Sequence, residues 1–114
     1  MRDEARLKTG LWVSAVLRQA NNSGCPAFRR HRGDEDAGGV LVVLTNRDRR
    51  AVVLTQTRTP EGARAWMRGS GADPVSEADA DAYVSRQIGR DPDLWVLEFE
   101  TDALEPPFEA LVIG

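Results

Sequence analysis

The chain has 114 residues, 41% hydrophobic and 29% charged, with a net charge of −3. That length supports one domain, and the composition excludes wholesale disorder. A single cysteine, Cys25, excludes an internal disulfide framework, and together with the lone His31 it excludes a closed Cys/His zinc site.

Residues 1–8 carry charges of both signs and lack the apolar core of a signal peptide. The first apolar stretch, 11–17, is seven residues long and contains Ser14, whereas a membrane span needs about 20. The protein is therefore expected to be cytoplasmic, where an unpaired thiol persists, with no membrane association.

Residues 11–23 predict a helix. Val13, Val16, Leu17 and Ala20 recur at helical spacing beside Trp12, with Ser14, Arg18 and Asn21 opposite. Thr9 is the expected N-cap and Gly24 the left-handed stop, after which Cys25-Pro26 forbids continuation. A weak strand is expected over 28–32, then a turn over 34–39. Residues 40–44, Val-Leu-Val-Val-Leu, are continuously apolar, the mark of a strand covered on both faces. The polar reversal 46–50 leads into a second apolar strand over 51–57, so the two are expected to pair as a hairpin.

Thr59-Pro60-Glu61-Gly62 breaks the chain again. Residues 63–68 then alternate Ala63, Ala65 and Met67 against Arg64, Trp66 and Arg68, a half-exposed strand with Trp66 on its polar side. The loop 69–74 precedes a second helix over 76–89, where Ser76 and Asp79 approximate a capping box and Ala80, Tyr83, Val84 and Ile88 form the apolar stripe. Asp91-Pro92-Asp93 turns the chain into a strand over 94–100, with Trp95, Leu97 and Phe99 on one face.

The order α-β-β-β-β-α-β predicts an α+β fold: a small, mixed, mostly antiparallel sheet with two helices on one face. Residues 1–101 form the expected domain. Residues 102–114, stiffened by Pro106-Pro107 and ending in Leu111-Val112-Ile113, form a tail that docks on the domain or is exchanged with a partner.

Charge is unevenly placed. Residues 1–68 hold 13 basic and 7 acidic side chains, net +6; residues 69–114 hold 2 and 11, net −9. The two halves are expected to neutralise each other in the fold, with a basic surface or head-to-tail self-association as the alternatives.

Three segments together are similar to a family of short bacterial proteins of unknown function: Leu11-Trp12-Val13-Ser14-Ala15, the run from Arg30-His31-Arg32-Gly33-Asp34 through Gly38-Gly39-Val40-Leu41-Val42, and Asp91-Pro92-Asp93-Leu94-Trp95-Val96-Leu97-Glu98. The resemblance spans about 11–100. It implies a small stand-alone cytosolic domain and assigns no activity, cofactor or catalytic residue.

Each candidate reactive group has a structural explanation beside the functional one. Asp34-Glu35-Asp36 offers carboxylates to a hard cation, but an EF-hand counted from Asp34 would need Glu where Thr45 stands. A solvated turn paired with Arg29, Arg30 or Arg32 explains the same residues. Asp91 and Asp93 suit turn chemistry as well as acid–base work. Cys25 follows a helix C-terminus, where the dipole disfavours a thiolate. His31 lies between two arginines and has no second histidine as co-ligand. Trp12 and Trp95 read as core.

Three functional readings follow. The first is a non-enzymatic interaction module, alone or as a homodimer, without a cofactor. The second is nucleic-acid or polyanion binding by an Arg-rich sheet edge of Arg29, Arg30, Arg32, Arg47, Arg49, Arg50, Arg64, Trp66 and Arg68. The third is a small metal-dependent enzyme using Asp34 with Asp36, or Asp91 with Asp93.

Overall fold

Strands over 40–44 and 51–54 are apolar at every position, so the sheet they form needs cover on both sides. The computed structural model describes residues 8–114; the charged segment 1–7 lies outside the described residues. The elements are α1 (Thr9–Asn22), β1 (Ala27–His31), β2 (Val40–Thr45), β3 (Arg50–Arg58), β4 (Arg64–Arg68), β5 (Val75–Ser76), α2 (Glu77–Arg90), β6 (Trp95–Glu100) and β7 (Val112–Ile113). Among the described residues no helix is long and apolar enough to cross a membrane.

The sheet order is β1-β6-β2-β3-β4-β7, with the short β5 pairing beside β3. The expected β2–β3 hairpin forms, with Val43 opposite Val53. Pairing is antiparallel except for β2 with β6 and β4 with β7. This is the predicted α+β class with a mixed, mostly antiparallel sheet, extended by β5 and β7.

The helices do not share a face. Val13, Val16 and Ala20 of α1 pack with Val40, Val42, Leu44, Leu54, Leu97 and Phe99, whereas Ala80 and Val84 of α2 pack with Leu41, Val43, Val53 and Val96. Alternation along β2 and β6 sends successive side chains to opposite sides. Two apolar faces therefore take one helix each, which corrects the one-sided expectation.

The two helix starts differ. Ser76 caps α2 as predicted, its hydroxyl accepting from the Asp79 N–H at 3.1 Å. Thr9 does not cap α1: it lies inside the helix, and its hydroxyl donates to the Gly38 carbonyl. The free N–H groups of Thr9 and Gly10 are met instead by the carbonyls of Asp36 and Glu35. The α1 stop is as read: Gly24 has φ 86°, its N–H reaches the Asn21 carbonyl, and the Cys25 N–H reaches that of Ala20. Those two bonds are a Schellman closure. Gly89 does not end α2, which runs to Arg90.

One further correction concerns β4. Trp66 is 3% exposed and belongs to the core on the α1 side, while Met67 is 44% exposed. The side expected to be polar from Arg64 and Arg68 is buried at its centre, as the opposite side is at Ala65. Its arginines sit at the two ends of the strand, where the side chains can leave the core, and only its middle residue is covered.

Candidate functional site

The acidic turn and the Asp-Pro-Asp corner meet at one end of the sheet. Asp34 N–H donates to the Asp93 carbonyl, and the Trp95 Nε1–H donates to the Asp34 carbonyl at 2.7 Å. Contact is tight enough that a Cβ on Gly33 would lie 2.2 Å from the Asp93 oxygen and 2.7 Å from Trp95 Cδ1. His31 is tied down nearby, its Nδ1 2.7 Å from the Leu94 carbonyl, so that nitrogen carries the proton it donates. The start of α1 rests on the same turn. The three segments that carry the family resemblance are thus neighbours in space.

This arrangement engages the carboxylates of Asp34, Glu35, Asp36 and Asp91 in local structure. Asp34 Oδ2 accepts from the Ala37 N–H and Asp91 Oδ1 from the Asp93 N–H, both turn-closing bonds. Glu35 pairs with Arg32 at 2.9 Å, and Asp36 lies 3.5 Å from Lys8. Among the described residues no group of three His, Cys, Asp or Glu side chains converges as a metal site. The Cys25 thiol hydrogen-bonds the Glu100 carbonyl; burial, helped by the Glu100 charge, pushes it above the usual thiol range.

The arginines of the proposed basic edge are distributed over the molecule. Arg30 bridges Asp81 and Glu98 on the α2 side. At the β2–β3 turn Arg47 holds Asp102, Arg49 lies 3.5 Å from Glu77, and Arg50 donates to the Pro74 carbonyl. Arg29 is exposed on β1, and Arg68 donates to the Gly114 carbonyl. With Trp66 buried, its ring offers no stacking surface.

Arg64 has a different setting. It pairs across the sheet with Arg58, two positions beyond the Gln56–Trp66 pair and therefore on the same, α1-facing side. Both line a cleft of about 560 Å³ between the start of α1, the 36–40 segment and the β3–β4 end. Trp12, Thr9, Thr57 and Asp36 complete its walls. The cleft is within the usual size of small-molecule sites.

An aromatic stack fixes the Trp12 wall. Its ring lies 6.0 Å from that of Trp66 at 26°, and Phe108 meets both edge-on at 5.6 and 5.7 Å. Offset stacking and edge-to-face contact are favoured geometries for such rings. The tail enters here: Phe108 packs into the core, and β7 pairs with β4 at Trp66 and Met67. Gln56 closes another wall, its Oε1 accepting from the Val40 N–H.

Electrostatics single out the arginine pair. Like charges directly opposite on a sheet face repel, and among the described residues neither Arg58 nor Arg64 has an acidic partner. Arg58 donates to the Gly62 carbonyl of its own turn, at 3.0 Å. A strand expected to end at Thr57 leaves Arg58 out of the site; the alternation of β3 carried one residue further includes it.

No curated protein matches the chain. It is similar to a crystal structure of a DUF1491 family protein from Caulobacter crescentus CB15, with 33% identity and a TM-score of 0.85 over 95% of this chain and 100% of that one. An NMR structure of a DUF1491 family protein from the same organism gives 34% and 0.80, over 95% and 97% of the two chains. The solution structure of protein Atu0922 from A. tumefaciens gives 26% and 0.77, over 96% and 98%. The family model for DUF1491, a protein family of unknown function, matches residues 7–109, and the chain belongs to that family.

Proposed function

We propose that this protein is a non-enzymatic binding module whose ligand is a small anion carrying a planar or apolar group, held in the cleft between α1 and the β3–β4 end. The observation that carries this reading is the Arg58–Arg64 cross-strand pair facing the Trp12 wall. An anion placed between two guanidinium groups relieves their repulsion and accepts forked hydrogen bonds from each. Trp12 offers the flat surface for the rest of the ligand, with Thr9 and Gln56 along the same walls. Catalysis is not part of the reading, because the carboxylates beside the cleft are engaged in turns and ion pairs.

The test is a calorimetric and NMR titration with inorganic phosphate, aromatic carboxylates and adenosine monophosphate, with neutral adenosine as control. Saturable shifts at Trp12, Arg58 and Arg64 are expected for the ring-bearing anions, with phosphate alone weaker and adenosine weaker still. Arg64→Ala should reduce affinity about tenfold, a loss of about 1.4 kcal/mol. Absence of saturable binding by every anion at low salt would overturn the proposal.

A further inference from the structure

A second crevice lies on the opposite side of the sheet, independent of the arginine cleft. It has a volume of about 260 Å³ and runs between the first half of α2 and β1, β6 and β2. Glu77, Asp81 and Glu98 line it together with Arg30. Arg30 contacts Asp81 at 2.9 Å and Glu98 at 3.2 Å, so one guanidinium serves two of the three carboxylates. Arg49 approaches Glu77 only at 3.5 Å, from solvent.

The second observation is Thr45. It is 6% exposed, the only polar residue among the described ones buried to that degree. Its position on β2 follows Leu41 and Val43 toward α2, and it lines the crevice. No hydrogen bond of its hydroxyl is found among the described residues. Buried hydroxyls are ordinarily paired, and one left without a partner calls for an explanation. The other walls are apolar: Val43, Ala51 and Ala80, with the 47% exposed Phe28 ring at the mouth.

We propose that this crevice binds an alkylammonium group. An –NH₃⁺ head has three donors and no acceptor, which matches Glu98, Asp81 and the Thr45 hydroxyl. Its methylene stem suits the aliphatic walls, and Phe28 offers a ring face to the cation at the entrance. A metal ion fits less well, since these carboxylates do not converge as a metal site. The electrostatics agree: burial holds the Glu98 carboxyl above the usual carboxylate range, against the pull of Arg30, with Asp81 and Glu77 adding to the rise. A cation would relieve that cost. The ammonium comes either from a free diamine or from a lysine side chain of another protein, and the experiment separates the two.

The full chain is titrated at low salt with 1,5-diaminopentane, with a peptide holding one lysine among neutral residues, and with 1-pentanol as the uncharged control, while amide resonances are followed. Saturable shifts at Phe28, Thr45 and Glu98 are expected with the diamine, the peptide or both, and none with pentanol. Binding by the diamine identifies a small amine as sufficient, and binding by the peptide alone identifies a protein partner. Glu98→Gln should weaken binding about tenfold. Thr45→Val keeps the side-chain shape and should weaken it about threefold with near-UV circular dichroism unchanged. No saturable shift from either amine, or shifts of equal affinity in both variants, would overturn the proposal.

Discussion

The two sides of the sheet solve the same packing problem with different side chains. On the α1 side the cover is aromatic, with Trp12, Trp66, Trp95, Phe99 and Phe108 in one cluster. On the α2 side it is mainly aliphatic, with Ala51, Ala80, Leu41, Val43, Val53 and Val84 at its centre and one ring, Tyr83, at its margin. The backbone of α2 comes close to β3, β2 and β5, whereas α1 approaches mainly β1. Helix-to-neighbour spacing follows the side chains at the contact. Large rings therefore leave room for a rigid-walled cleft beside the arginine pair, while small residues bring α2 down and leave only a narrow acidic crevice along its flank.

That contrast can be broken by truncation. Trp66→Ala removes the ring on which Trp12 and Phe108 rest and should cost about 3–5 kcal/mol. Leu41→Ala, on the α2 side, should cost less, toward the lower end of about 2–5 kcal/mol. Urea denaturation of both variants checks the order; a larger loss for Leu41→Ala would refute the claim that the aromatic side is the less forgiving one.

Two glycines sharpen it. Gly33→Ala presses a methyl against the Asp93 carbonyl and the Trp95 ring of the α1-side core, and should destabilise by about 1–3 kcal/mol. Gly89→Ala sits in α2 with nothing within 4 Å of the added carbon. It should stabilise by about 0.5 kcal/mol, since alanine restricts the unfolded chain more than glycine does. Thermal unfolding reads both signs.

A smaller effect is expected from Glu98. Its folded pKa lies above the ordinary carboxylate value, chiefly through burial, so the folded state keeps the proton to higher pH than the unfolded one. The stability from this group is complete below the unfolded pKa of about 4.3 and is lost as pH rises through the folded pKa. Glu98→Gln should therefore gain on the parent as pH rises from about 4 to about 7; urea midpoints that fall relative to the parent over that interval would contradict it. Cys25 gives the mildest signal. Its thiol stays protonated at neutral pH, and iodoacetamide should react more slowly than with a free thiol until the solution is clearly alkaline.

Local patterns reached the elements but not their neighbours. The unbroken apolar run of β2 announced a strand buried on both faces, and the helical spacing of Val13, Val16 and Ala20 announced α1, because both signals depend only on adjacent residues. Nothing in a period-two pattern says that β6 lies parallel to β2 or that β1 pairs with β6. The same limit hid the site. Arg64 is legible as a surface cation, but Trp12 reads as core, Arg58 lies one residue past the expected strand end, and the cleft exists only once α1 is laid across the β3–β4 end. Trp66 departs from its expected polar setting because the arginines at both ends of the strand reach solvent while its centre is covered. Glu98 was placed correctly on the face opposite Trp95, yet its partners Arg30 and Asp81 come from β1 and α2.

The place of β6 between β1 and β2 has a consequence for biogenesis. A nascent chain that has already emitted β1 through β4 still has no sheet partner for β1, and the inner edge of β2, apolar on both faces, stands unpaired. Only when residues 95–100 emerge can the two halves be stitched together. Until then the chain carries an open strand edge of the kind that invites misassembly, so closure of the sheet waits on its last long strand.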